Sequence, residues 1–138
     1  MIYYSEISLR TQADGEIVDI TAKVQKILAE SGITSGIATV FVTHSTCGIT
    51  TVEYEPGLIE DLANAWERLA PKAISYGHDA HWGDGNGYAH VRASLLGASL
   101  TVPFTDKKMV LGTWQQIILV DFDNRPRNRT VVVQVMGE

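Results

Sequence analysis

Residues 37–52, Ile37-Ala38-Thr39-Val40-Phe41-Val42-Thr43-His44-Ser45-Thr46-Cys47-Gly48-Ile49-Thr50-Thr51-Val52, decide how the chain is read. Ile37–Thr43 and Cys47–Val52 are rich in β-branched residues and read as two strands around a short link. Upstream, residues 2–10 alternate between two faces, as a half-buried strand does, and Ala13-Asp14-Gly15 is a turn signal. From Ile20 the apolar positions Ile20, Val24, Ile27 and Leu28 follow helical spacing, with Asp19 or Thr21 to cap the start and Gly32 to close the end. Downstream, Pro56 opens a second helix whose apolar stripe is Leu58, Ile59, Leu62, Trp66 and Leu69, and Pro71 ends it.

The segment Ser75–Tyr88 holds Gly77, Gly83, Gly85 and Gly87 and reads as a shaped loop, followed by one or two helical turns over Val91–Leu96. Three strand-like runs complete the chain: Ser99–Phe104, Thr113–Phe122 and Thr130–Met136. Asp106-Lys107-Lys108 and Asp123–Arg129 supply the turns between them. Two main helices and about seven strands, mostly joined by short turns, predict an α+β fold with a largely antiparallel, β-sandwich-like sheet. No repeat or linker divides residues 1–138, so a single domain is expected. The C-terminal strands carry near-continuous apolar runs, Val131-Val132-Val133 among them, which need cover on both faces and predict a neighbouring subunit.

Composition narrows the function classes. The 138 residues carry a net charge of −5, and the pI is near 5.3, which lacks the electrostatic footprint of a general nucleic-acid binder. Cys47 is the one cysteine, so no internal disulfide is available and a reducing, cytoplasmic setting is expected. No apolar run approaches the ~20 residues of a membrane helix, and the N-terminus alternates and carries charge, unlike a signal peptide. No partner membrane or nucleic acid is predicted.

Nucleotide signatures are absent. No G-x-x-x-x-G-K-[ST] loop occurs, and Gly83-Asp84-Gly85-Asn86-Gly87 lacks the context of a dinucleotide fingerprint or an EF-hand. Weight shifts to the histidines. His44 ends a strand, while His78 and His90 bracket the glycine-rich segment, so the three form a candidate divalent-metal or acid–base site. His44-x-x-Cys47 and His78-x-x-His81 have ligand-like spacing, but Cys47 reads as a buried inert thiol and His81 as an exposed loop residue. Arg125, Arg127 and Arg129 read as a solvated hairpin turn, with contact to an anionic substrate as the other reading.

Several blocks occur in a familiar order: His44-Ser45-Thr46 with Glu53 downstream, Tyr76-Gly77-His78-Asp79, Ala89-His90-Val91-Arg92-Ala93-Ser94-Leu95-Leu96-Gly97, and Gly112-Thr113-Trp114-Gln115. Together they resemble the YjbQ family (UPF0047) over essentially the whole chain. That resemblance implies an α+β fold, a homotrimer with a pocket near the subunit boundaries, and a metal at histidines. It also implies a thiamine-phosphate synthase activity of secondary standing. Two departures from the family pattern stand out. Asp84-Gly85-Asn86-Gly87-Tyr88 replaces a stretch with a second carboxylate, and Val52 and Tyr54 flank Glu53 where asparagines are usual.

On the matching positions the resemblance assigns a divalent ion, zinc or magnesium, to His44, His78 and His90. Thiamine-phosphate synthesis expels pyrophosphate, so it calls for anion donors and a surface that orients two heteroaromatic rings. Arg92, Ser94, Ser45 and Thr46 are the expected phosphate donors, and Trp114 and Tyr88, with Trp82, the stacking surface. Glu53 is the expected general base, Asp79 an orienting partner of a histidine, and Gln115 a further catalytic position. The predicted function is a metal-assisted enzyme acting on a small phosphorylated molecule. The alternative is a non-catalytic homotrimeric module that binds a small ligand or metal.

Overall fold

The computed structural model describes residues 1–138. Eight strands and four helices follow the order β1 (Ile2–Thr11), β2 (Glu16–Asp19), α1 (Thr21–Glu30), β3 (Gly36–Val42), β4 (Cys47–Val52), α2 (Pro56–Leu69), α3 (Gly77–Trp82), α4 (Gly87–Leu96), β5 (Ser99–Thr105), β6 (Lys108–Met109), β7 (Gln116–Asp121) and β8 (Arg127–Gly137). The fold is α+β, and all strand pairs are antiparallel. No helix is long and apolar enough to cross a membrane.

Two sheets carry the fold: a five-stranded one ordered β1-β8-β3-β5-β6 and a three-stranded one ordered β2-β7-β4. Several of the short links between successive strands are crossings between the two sheets. Residues 43–46 lead from β3 in the large sheet to β4 in the small one, and residues 122–126 lead from β7 back to β8. Asp123–Arg129 is therefore not a hairpin turn. Residues 12–15 make the same crossing from β1 to β2. The three crossings meet at one end, where Gly15 N–H donates to Asp121 O (2.8 Å) and Phe122 N–H to Thr46 O (2.9 Å).

The small sheet is a middle layer, which explains the unbroken apolar run of β7. Ile117 and Leu119 face the large sheet and pack with Val133, Val135, Val40 and the α1 residues Val24 and Leu28. Ile118, Val120 and Phe122 face the other way, onto Trp66 of α2 and Ala89 and Ala93 of α4. Trp66 meets Phe122 edge-on with ring centroids 4.7 Å apart. Cover for β7 thus comes from its own chain rather than from a neighbouring subunit. The outward face of the large sheet is different. Ile2, Met136 and Ile37 lie in register across β1, β8 and β3, and they and Phe41 are exposed.

Local chemistry sets the element ends. Glu55 caps α2, its carboxylate accepting from Gly57 and Leu58 N–H (2.8 and 2.7 Å), with Pro56 in the first turn. Asp106 and Lys107 both take positive φ (49° and 63°), as the two-residue β5–β6 hairpin requires. The glycine-rich segment is not a loop throughout: it holds the short helix α3, and the helical turns expected over Val91–Leu96 begin earlier, at Gly87, as α4. Gly83, at φ 71°, ends the six-residue α3 in the left-handed conformation, a standard use of glycine at a helix end. Gly87 opens α4 because a Cβ there would lie 2.7 Å from Tyr76 Cβ. Glycine density here marks helix boundaries and close packing.

Candidate functional site

The β3–β4 and β7–β8 crossings border a polar cavity of about 410 Å³, with Trp82 its one hydrophobic lining residue. One wall comes from the β3–β4 link and the start of β8: His44, Ser45, Thr46, Arg127 and Arg129. The other comes from α3, α4 and the segment joining them: His78, Asp84, Asn86 and His90. Asp123 lies on the floor.

The floor is a buried ion network. Arg129 Nε donates to Asp121 Oδ2 (2.7 Å), and its Nη2 donates to Asp121 Oδ1 (2.9 Å), Thr46 Oγ1 (2.9 Å) and Asp123 Oδ2 (3.3 Å). Arg127 Nε donates to Asp123 Oδ2 at 2.8 Å, Thr46 Oγ1 donates to the same carboxylate, and Thr11 Oγ1 donates to Asp121. Burial pushes both carboxyls up. For Asp121 the bonds from Arg129 and Thr11 outweigh it; for Asp123 those from Thr46 and the Asn124 amide, with Arg127, do so. Both sit below the ordinary carboxylate value. Burial would lower the Arg129 guanidinium, but its bonds to Asp121 raise it.

The α3–α4 wall gathers the side chains that could ligate a metal. The His78 and His90 rings stand 4.2 Å apart, tilted by 38°. His78 Nδ1 is buried without a hydrogen-bond partner, 3.6 Å from Asp79 Oδ1 and 3.4 Å from Asp84 Oδ1. Ligand atoms of His78, Asp79 and Asp84 all lie within 4.8 Å of one another. An orphaned imidazole nitrogen beside two carboxylates fits a divalent cation with mixed nitrogen and oxygen ligands. The carboxylates are held in place: Asp79 Oδ1 accepts the Gly87 N–H (2.8 Å), and the Asn86 NH₂ turns toward Asp84, donating to its oxygens at 3.0 and 3.1 Å. In the opposite orientation the Asn86 carbonyl would face that carboxylate. Burial and the neighbouring His78 hold the His90 imidazole below the ordinary histidine value.

His44, Ser45, Thr46, His78 and His90 are thus brought to one cavity, with Asp79 just behind it. His44 stands on the opposite wall from the other two imidazoles, its Nε2 accepting the Thr130 N–H at 2.9 Å. The Thr46 hydroxyl is consumed by Asp123 and Arg129. Ser94 Oγ donates back to His90 O (2.8 Å) within α4. Tyr88 is buried in the packing between α4 and the small sheet.

Arg92, expected among the phosphate donors, does not line this cavity and is a buried, paired cation. Only 5% exposed, it donates through Nε to Ala70 O (3.0 Å) and through Nη2 to Glu67 (2.7 Å), and it stacks over Tyr88. Glu53, Trp114 and Gln115 stand at the other end of the small sheet. Val52 pairs with Gln116 where Cys47 pairs with Asp121, so about 17 Å of strand separates them from the cavity. Trp114 is 69% exposed, and Gln115 accepts the Gly112 N–H. His81 is exposed and Cys47 buried. Arg129 is buried rather than solvated, because Asp121 and Asp123 face it.

Asp84, Asn86, Asp121 and Asp123 are not among the residues the sequence pointed to, while Arg127 and Arg129 entered only through the second reading of the arginine run, contact with an anion. A signal existed for some of them. Asp121 ends an otherwise apolar strand, and Arg129 falls on the inward alternation of β8 with Val131 and Val133, so a buried acid–base pair was readable.

Residues 5–138 match the family described as UPF0047 protein YjbQ-like. The chain is 44% identical to a UPF0047 protein of Methanothermobacter thermautotrophicus over 99% of its own length and 94% of that protein. It is 36% identical to the UPF0047 protein YugU of Bacillus subtilis, over 95% and 97%. In three dimensions it is similar to a YbjQ-like protein of unknown function from Sulfolobus solfataricus, with a TM-score of 0.94, 38% identity, and 100% and 99% of the two chains covered. A YjbQ/UPF0047 protein of Clostridium acetobutylicum gives 0.87 at 38% identity, over 96% and 99%. The crossings that build the cavity, the histidine-bearing helices and these whole-chain likenesses agree: the chain belongs to the YjbQ-like UPF0047 family.

Proposed function

We propose that this chain binds a small phosphorylated molecule in the polar cavity with the help of a divalent ion and turns it over, in the manner of the secondary thiamine-phosphate synthase activity its family resemblance implies. The observation that carries the reading is the pairing of two unlike walls across one cavity. His78 and Asp84 in the lining, with Asp79 just behind them and the His90 ring 4.2 Å from His78, suit a cation, and Arg127, Ser45 and His44 bring to the same cavity hydrogen-bond donors suited to an anion.

His78, with Asp79 and Asp84 and with His90 adjoining, would hold the ion. When bound, it supplies charge to offset a departing phosphate group. Arg127, anchored through Nε by Asp123, offers its terminal nitrogens to phosphoryl oxygens without having to find its geometry first. The exposed Trp82 indole at the rim offers a face for a heteroaromatic ring. Zinc suits the nitrogen-containing ligand set better than magnesium.

The non-catalytic binding reading is favoured by one observation: Glu53, the expected general base, is far from the cavity of its own chain. Glu53, Trp114 and Gln115 could serve a cavity only if a second copy brings them there, in keeping with the homotrimer the resemblance implies.

The test is pyrophosphate release from a pyrimidine pyrophosphate and a thiazole phosphate, with and without zinc, alongside zinc titration by calorimetry. Zinc binding with zinc-dependent release supports the enzyme. Zinc binding without release leaves the binding module, and no zinc binding removes the metal from the reading.

A further inference from the structure

β8 outruns its partner β3. Pairing with β3 stops at Val131 opposite Val42, yet β8 extends back to Arg127. Thr130 is therefore the first residue whose β3-facing backbone groups lack a strand partner. Its carbonyl accepts from the Thr43 N–H and the Thr43 hydroxyl, both at 3.4 Å. Its N–H points the same way and donates to His44 Nε2 at 2.9 Å. The imidazole takes the place of the next carbonyl in the ladder, as a partly buried amide requires.

That bond fixes the proton. A ring nitrogen that accepts an N–H must present its lone pair, so in the neutral ring the hydrogen sits on Nδ1. Nδ1 has no partner within the protein, and the ring lines the cavity. A cation could bind at Nδ1 only if that nitrogen gave up its proton and left an imidazolate. Beside it Arg127 spends only Nε, on Asp123. The same bond requires the neutral ring, since an imidazolium has no lone pair on Nε2 to accept the Thr130 N–H, and burial with the Arg129 and Arg127 charges favours that form.

We infer that His44 is not a metal ligand but a neutral hydrogen-bond donor of fixed tautomer, which together with Arg127 binds an oxyanion of the ligand, a phosphoryl oxygen. The identity of the anion rests on the phosphorylated-ligand reading above; the tautomer does not. A neutral imidazole donor of this kind stabilises negative charge without surrendering its proton to it.

The experiment uses full-length protein labelled with ¹⁵N-histidine, with inorganic phosphate and zinc as separate probes. Long-range ¹H–¹⁵N correlation spectra should show His44 as the single Nδ1–H tautomer, and phosphate should shift its Nδ1 resonance. His44→Gln, whose carbonyl can still accept from Thr130 but which lacks the Nδ1 donor, should bind phosphate roughly tenfold more weakly. Its zinc stoichiometry should be unchanged. An Nε2–H tautomer, an Nδ1 resonance indifferent to phosphate, or loss of zinc in His44→Gln overturns the inference. Should the wild type bind no zinc while phosphate still shifts Nδ1, the metal reading fails and this inference stands.

Discussion

Arg129 and Asp121 meet side-on beneath the cavity, with Nε 2.7 Å from Oδ2 and Nη2 2.9 Å from Oδ1, and both side chains are almost wholly out of water. The two residues come from the strands that flank the β7–β8 crossing. Their bond therefore ties the small sheet to the large one as well as supporting Arg127 and Asp123. Charges so placed are expensive to desolvate and tolerable only together.

Removing one partner should accordingly be severe. Arg129→Met leaves Asp121 buried and uncompensated, and we expect a loss of about 3–5 kcal/mol in urea denaturation. Arg129→Met combined with Asp121→Leu should recover a good part of that loss. If the single variant is within about 1 kcal/mol of wild type, the network is peripheral to stability.

Arg92→Ala should lower the melting temperature and leave phosphate binding unchanged, since Arg92 joins α4 to the end of α2 and does not line the cavity. Phosphate dialysis against the folded variant decides the point. A loss of binding with an unaltered melting temperature would return Arg92 to the site.

Acid stability should fall in two stages. His44 has a folded pKa below its unfolded value near 6.5, so below that pH the unfolded chain takes up a proton that the folded chain resists, and stability declines as pH falls. Asp121 and Asp123 are also depressed. Their contribution is complete above the unfolded carboxylate value of about 3.9 and is lost as pH drops through their lower folded values. Denaturation midpoints across this range check both stages; His90, also held below the ordinary histidine value, shares the upper one, so His44→Gln should lessen that stage and leave the lower one unchanged.

Cys47 should be inert in the folded protein. Burial pushes its thiol up to about 12, and the nearby Asp121 carboxylate adds to the effect. Alkylation by iodoacetamide at mildly alkaline pH should be negligible until denaturant is added. Rapid labelling of the native protein would contradict this.

The exposed row Ile2, Met136 and Ile37 on the large sheet, with Phe41, should be covered by further copies of the chain. Light scattering at micromolar concentration should report a trimer, and Phe41→Asp with Ile37→Asp should dissociate it. A monomeric wild type removes the assembly from the reading.

The α+β class, the antiparallel pairing and the helices at Thr21–Glu30 and Pro56–Leu69 were legible in the sequence, because period, β-branching and capping are local properties. So was the grouping of His44, His78 and His90, which line one cavity. Three things were not. A short link such as residues 43–46 looks the same whether it closes a hairpin or crosses between sheets, because only the alternative partners of each strand distinguish the two. Glycine density could not say that Gly83 ends one helix and Gly87 begins another, since the deciding contact is with Tyr76, remote in sequence. Arg92 and Arg129 carry the same charge in sequence, yet Glu67 claims one away from the cavity, while Asp121 and Asp123 hold the other beneath it. Residue type was enough to show that ionisable chemistry exists in this chain. Which groups face the cavity is settled by pairing across dozens of residues, and only the folded arrangement of the two sheets contains that information.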